Sequence, residues 1–195
     1  MENIFSQNDL KIILGSGSPR RKEIMKKMNL RFEVITSDVN ESLPFGLSAS
    51  ETAKHLSLQK AESVAKLYGK DAVVIGSDTL LEHEGKPLGK PSDEKNALDI
   101  LMSLSGKKHF VHTAIALVYN DRIMVDVDST AVYMKPFSEN EAKEYIKTGE
   151  CMDKAGAYAI QGLGASLVDK IEGEFDTVVG LPSKLLLKML AEITK

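Results

Sequence analysis

The segment Ala72-Val73-Val74-Ile75-Gly76 constrains the fold more than any other. An unbroken apolar run of strand length suits a strand covered on both faces, which needs helices above and below it. That requirement points to an α/β protein. The run passes straight into Ser77-Asp78-Thr79, and an ionisable residue at the end of a buried strand is a common way to place a reactive group. Residues 11–15 make a second aliphatic strand ending at glycine, and Ser18-Pro19 then offers an N-cap and a first-turn proline for a helix to about Met28. Residues 31–36 alternate as a strand, and a polar loop holding Asp38, Asn40 and Glu41 follows. Between 50 and 67, Ala53, Leu56, Ala61, Val64, Ala65 and Leu67 recur at helical spacing and leave Lys54 and Lys60 to face elsewhere.

The rest of the chain adds layers. A hairpin over 80–88 turns at Glu84-Gly85, and Ser92-Asp93-Glu94 opens a helix to Leu104. Residues 111–119 and 123–134 read as an antiparallel ribbon with one wet face. Ser138 and Glu141 form a capping box for a helix that Gly149 stops. A glycine-rich stretch over 153–181 carries a short strand near 166–171, and Pro182 starts a terminal helix. The expectation is an α/β fold with a mixed sheet and flanking helices, two lobes around a central cleft, and one domain over 1–195 with no linker.

Charge narrows the function. The net charge of −3 gives no basic field for a nucleic-acid backbone, so any phosphate chemistry must be local. A single cysteine excludes an internal disulfide and fits a reducing compartment. The first residues lack the basic start and apolar run of a signal peptide, and no stretch approaches the ~20 apolar residues that span a bilayer. A cytoplasmic, soluble protein without nucleic-acid or membrane partners is expected.

Several residue groups could carry chemistry. Gly15-Ser16-Gly17-Ser18-Pro19-Arg20-Arg21 joins a strand to a helix, where small residues let an anion approach free N–H groups. Cations are disfavoured at a helix start, so Arg20 and Arg21 make more sense beside a bound anion; the bland alternative is a capped surface helix with solvated arginines. Asp78 suits a general base or a magnesium ligand, or simply caps a turn. Glu41 matters only as its partner. Lys60 and Lys90 are candidate phosphate partners, Lys90 being confined by Gly89 and Pro91, although most lysines are only surface. Gln161 offers both a donor and an acceptor to a nucleobase edge, or serves the local backbone. His109 and His112 fall on opposite faces of a strand and make poor joint zinc ligands. Cys151 lacks the surroundings of a nucleophile.

Taken together, these segments resemble the Maf family of nucleotide pyrophosphatases over nearly the whole chain. The resemblance lies in Leu14-Gly15-Ser16-Gly17-Ser18-Pro19-Arg20-Arg21, Gly76-Ser77-Asp78-Thr79, Leu88-Gly89-Lys90-Pro91, Asp153-Lys154-Ala155-Gly156-Ala157-Tyr158, Ile160-Gln161-Gly162 and Val178-Val179-Gly180-Leu181-Pro182. The closing segments are similar to the subgroup acting on dTTP and UTP rather than the one acting on 7-methyl-GTP. The resemblance implies an elongated fold like that of inosine-triphosphate pyrophosphatases, with a deep cleft, and a homodimer. It implies Asp78 as proton acceptor, Arg20, Thr79 and Gln161 as residues of substrate choice, and Ser16, Arg21, Glu41, Lys60 and Lys90 as pocket residues. It also implies a divalent cation, Mg2+ or Mn2+, held by Asp78 with Glu41. If Asp78 binds the metal directly, Glu41 takes the role of base; both assignments stand at this point. Three departures are Lys107 for an arginine, and Ala114 and Ala159 for glycines; Ala159 is expected to tighten the pocket near Gln161. A non-catalytic nucleotide sensor tied to cell division, and a pyrophosphatase of modified nucleotides, are the rival expectations.

Overall fold

The computed structural model describes residues 10–36, 46–68 and 70–195. Glu41 and the acidic loop around it lie outside the described residues. The elements run β1 (Lys11–Leu14), α1 (Pro19–Lys27), β2 (Glu33–Val34), α2 (Ala49–Tyr68), β3 (Ala72–His83), β4 (Lys86–Leu88) and α3 (Glu94–Leu104). They continue with β5 (Lys108–Tyr119), β6 (Arg122–Met134), α4 (Glu139–Ile146), β7 (Val168–Glu172), α5 (Phe175–Val179) and α6 (Ser183–Ile193). The strands form one mixed sheet in the order β2-β1-β3-β5-β6-β7, with β4 also on β3. β1 is parallel to β2 and β3, while the β3–β5, β5–β6 and β6–β7 pairs are antiparallel. The α/β class with flanking helices is as expected. Among the described residues no helix is long and apolar enough to cross a membrane.

Several segments differ from expectation. The strand expected over 31–36 shrinks to Glu33–Val34, which pairs with β1 only at Ile13 and Leu14, and Leu67 faces solvent in the last turn of α2 instead of packing on the sheet. The strand of residues 72–76 does not stop before Asp78; β3 runs unbroken to His83 and takes in the first arm of the hairpin, which turns at Glu84 and Gly85 with φ of 52° and 75°. The cause is β5, which pairs with β3 continuously from Val74↔Val118 to Glu82↔Phe110 and keeps Ser77, Asp78 and Thr79 extended. The β5–β6 ribbon also lacks a clean wet face, because β5 is central and buried from Val111 to Leu117. Ser18 occupies the N-cap of α1 without a side-chain bond to the helix; its own N–H donates instead to Ser16 Oγ, at 3.3 Å.

The cores explain where a cleft opens. On one face of the sheet Ile12, Leu14, Val73, Ile75, Ile115 and Leu117 pack against α1 and α6. Farther along the same face Leu81, Val111, Val132 and Met134 pack with α3 and α4 residues such as Leu101, Leu104 and Tyr145. Strand alternation puts Ser77, Thr79 and Thr113 between these two clusters, so the face turns polar there. α2 covers the opposite face through Ala61 and Val64. It lies very close at Gly76, where a Cβ would fall 2.2 Å from the Ser57 carbonyl oxygen and 2.7 Å from the Ala61 nitrogen. Only glycine lets α2 sit this low, and that depth brings Lys60 to the strand.

Candidate active site

β1 ends at Leu14, opposite Ile75. β3 continues beyond it, and β4 takes up the same edge only at Leu81. Residues 76–80 of β3 therefore have no strand beside them on that edge among the described residues. The chain leaves β1 toward β2 on one side and returns through α2 to β3 on the other. This is a topological switch point, where open α/β sheets form their ligand crevice at the carboxyl ends of parallel strands. A cavity of about 500 Å³ occupies it, within the range of small-molecule sites.

Because the cavity wraps the bare edge, it gathers side chains from both faces of β3. From the α2 face come Asp78 and Lys60, with Lys60 Nζ 2.5 Å from Asp78 Oδ1; Asp78 is only 9% exposed. From the other come Thr79 and Arg21. The Arg21 guanidinium donates through Nε to the Gly180 carbonyl at 2.7 Å, through Nη1 to Ser16 Oγ at 3.0 Å, and through Nη2 to Thr79 Oγ1 at 3.3 Å. Gly180 holds φ at +124°, which suits glycine and turns its carbonyl back toward the arginine. Burial pulls the Arg21 pKa down from its ordinary value; the Asp78 charge opposes that shift and Arg20 adds to it.

The expected residues meet here with two qualifications. Arg20, Arg21, Lys60, Asp78, Thr79, Lys90 and Gln161 all line the cavity. Ser16 does not line it, and acts on it by fixing Arg21. Glu41 lies outside the described residues. Lys154 and Asp153, which sequence reasoning gave no separate role, form an ion pair in the wall, and Lys154 lowers the Asp153 pKa chiefly through their hydrogen bond. Five cationic side chains thus face two carboxylates in the cavity of a chain whose net charge is −3. This is a local positive field in an acidic protein.

The wall that carries Gln161 has its own support. Glu150 accepts from the Tyr145 hydroxyl at 2.8 Å, from Leu163 N–H at 3.0 Å and from Gly164 N–H at 2.9 Å. Tyr145 Oη in turn accepts from Ala159 N–H at 3.1 Å. The backbone on both sides of Gln161 is therefore tied to one carboxylate, which its three donors favour in the ionised form against the cost of burial. Periodicity could not reveal this segment, because its order comes from side chains bonding irregular backbone rather than from a helix or strand pattern. Ala159 keeps an ordinary φ, so replacing a glycine there costs no backbone strain.

The residues set aside as chemistry sit elsewhere. His109 Nε2 bonds the Tyr158 hydroxyl at 2.8 Å, and burial brings the His109 pKa down to about 4. His112, on the opposite face, bonds Ser129 Oγ at 2.8 Å. Cys151 is buried and its thiol pKa is raised, the reverse of an activated nucleophile.

Fold and cleft together define an α/β protein with a cation-rich crevice at the switch point of a mixed sheet. The Staphylococcus aureus Ham1 protein shares this fold, with a TM-score of 0.53 at 18% identity over 95% of this chain and 100% of that one. The chain belongs to the Maf family, whose model, described as Maf-like protein, matches residues 11–193. Similar proteins include one of Caldicellulosiruptor saccharolyticus, 42% identical over 94% of each chain, and one of Thermoanaerobacter sp. strain X514, 45% identical over 93% of this chain and 95% of its own. Each is named dTTP/UTP pyrophosphatase.

Proposed function

We propose that this chain hydrolyses nucleoside triphosphates, dTTP and UTP preferred, to the nucleoside monophosphate and pyrophosphate. The observation that carries this reading is the meeting of Asp78 with Arg20, Arg21, Lys60 and Lys90 on one cavity, in a chain whose relatives bear the name dTTP/UTP pyrophosphatase. The cations draw in a substrate of about four negative charges and offset charge that develops on the leaving pyrophosphate. Lys60 fixes the Asp78 carboxylate, which orients the attacking water and takes its proton. Ser16 and Thr79 hold the Arg21 fork, and Gln161 meets the base edge with one amide donor and one acceptor. Glu41, which lies outside the described residues, is the alternative base of this proposal.

A divalent cation fits this donor set. Among the described residues no three of His, Cys, Asp and Glu group to make a protein-built metal site. A hard cation such as Mg2+ or Mn2+ is commonly held by one or two carboxylates together with substrate phosphates; Asp78 and Glu41 are the carboxylates proposed for it, and where Asp78 is the direct ligand the role of base passes to Glu41. When bound, the cation polarises phosphate oxygens.

A panel of dTTP, UTP, CTP, GTP, 7-methyl-GTP and ATP, incubated with the protein and Mg2+ or Mn2+, tests the reading. Pyrophosphate should appear fastest from dTTP and UTP, and Gln161→Ala should narrow the gap between these and CTP. Orthophosphate as the product, or nucleotide binding with no turnover under either cation, would contradict it.

A further inference from the structure

Thr113 has no surface on the cavity and is 0% exposed, yet it stands directly beneath the groups that line it. Its Oγ1 lies 2.6 Å from the Thr177 carbonyl oxygen and 2.9 Å from Thr79 Oγ1. Proton counting fixes the direction of these bonds. A carbonyl only accepts, so the single Thr113 hydroxyl proton goes to Thr177. Thr79 must then donate its own proton to Thr113 Oγ1. Guanidinium only donates, so Arg21 Nη2 gives to Thr79 Oγ1 at 3.3 Å. The result is a one-way chain: Arg21, Thr79, Thr113, Thr177 carbonyl.

Thr177 belongs to α5, and Gly180, which accepts from Arg21 Nε, directly follows that helix. The guanidinium is thus tied to one short helix by two routes, one direct and one through the sheet. α5 is itself anchored to β6, because the Thr177 hydroxyl donates to Asp128. Bonds arranged head to tail in a buried setting reinforce one another, so the far end of the chain bears on the near end.

We propose that Thr113 is a positioning residue for substrate binding: it consumes the Thr79 proton and so sets Thr79 as an acceptor that holds the Arg21 fork toward the phosphates. The proposal rests on the function proposed above. It has a further chemical consequence. With its proton committed inward and one lone pair taken by Arg21, Thr79 offers the cavity a single lone pair, so it serves a ligand N–H or O–H donor and not a phosphate oxygen.

The test compares Thr113→Val, which keeps the shape and loses the hydroxyl, with Thr113→Ser, which keeps the hydroxyl. Thr113→Val should raise KM for dTTP about tenfold and weaken binding of a non-hydrolysable α,β-methylene triphosphate by a similar factor, whereas Thr113→Ser should restore both to near wild type. A lower Tm in Thr113→Val with unchanged KM and affinity, or no rescue by serine, would overturn the proposal. Should Thr113→Val not fold, NMR of the wild-type chain decides instead: slowly exchanging hydroxyl protons are expected on both Thr79 and Thr113, and a Thr113 hydroxyl exchanging at the solvent rate would overturn it. A wild-type chain that neither binds nor cleaves triphosphates would contradict the function itself; normal wild-type behaviour with an indifferent Thr113→Val contradicts only the role of Thr113.

Discussion

Asp78→Asn is expected to lower kcat by about two to four orders of magnitude while nucleotide binding survives, the size of effect that removing a positioned proton acceptor produces. Asparagine keeps the shape of the side chain and can still accept from Lys60 Nζ, now 2.5 Å from Oδ1, so the wall of the cavity should hold. The loss is one negative charge in a cavity where cations already outnumber carboxylates. Affinity for a non-hydrolysable triphosphate should therefore stay level or improve, even as turnover collapses. Steady-state kinetics beside calorimetric binding make the check. Turnover within a few-fold of wild type would remove Asp78 from the role of base; a parallel collapse of binding would make it a structural group.

Arg21→Lys should lower kcat/KM by about two to three orders of magnitude, comparable to removing a preorganised donor from a transition-state site. Lysine keeps the charge but cannot replace a planar fork that reaches Gly180, Ser16 and Thr79 at once. The Gly180 carbonyl also accepts from Ser77 Oγ at 3.2 Å, so it keeps one donor and the local fold has reason to survive. Arg20→Lys makes the comparison: Arg20 lines the cavity without such a set of hydrogen bonds to neutral acceptors among the described residues, and its replacement should cost much less. Equal losses at the two positions would mean that charge alone matters and that the fork geometry does not.

The parts of the fold legible in the sequence were those with a period or a cap. The Ala72-Val73-Val74-Ile75 run, the helix bearing Lys60 and the Ser138–Glu141 capping box appear as expected. The extent of β3 was not legible, because Ser77-Asp78-Thr79 looks like an ending until β5 is known to run alongside it. The cavity residues fall on one crevice for a reason that a linear reading cannot hold: β1 is short, β3 is long, and the uncovered edge opens both faces of the strand to one space. Glu150, Tyr145 and Thr113 leave no mark in the sequence because each works through a set of hydrogen-bond partners that only the fold assembles. Glycine spacing did mark the segment around Gln161 as irregular, without telling what orders it.

If Asp78 directs water onto the α-phosphorus of a triphosphate lying along Arg21, Lys60 and Lys90, the oxygen taken from solvent ends in the nucleoside monophosphate. Hydrolysis of dTTP in water enriched in oxygen-18, with mass analysis of both products, addresses it directly. One labelled oxygen is expected in the nucleoside monophosphate and none in pyrophosphate; label in the pyrophosphate, or in released orthophosphate, would rule out attack at the α-phosphorus.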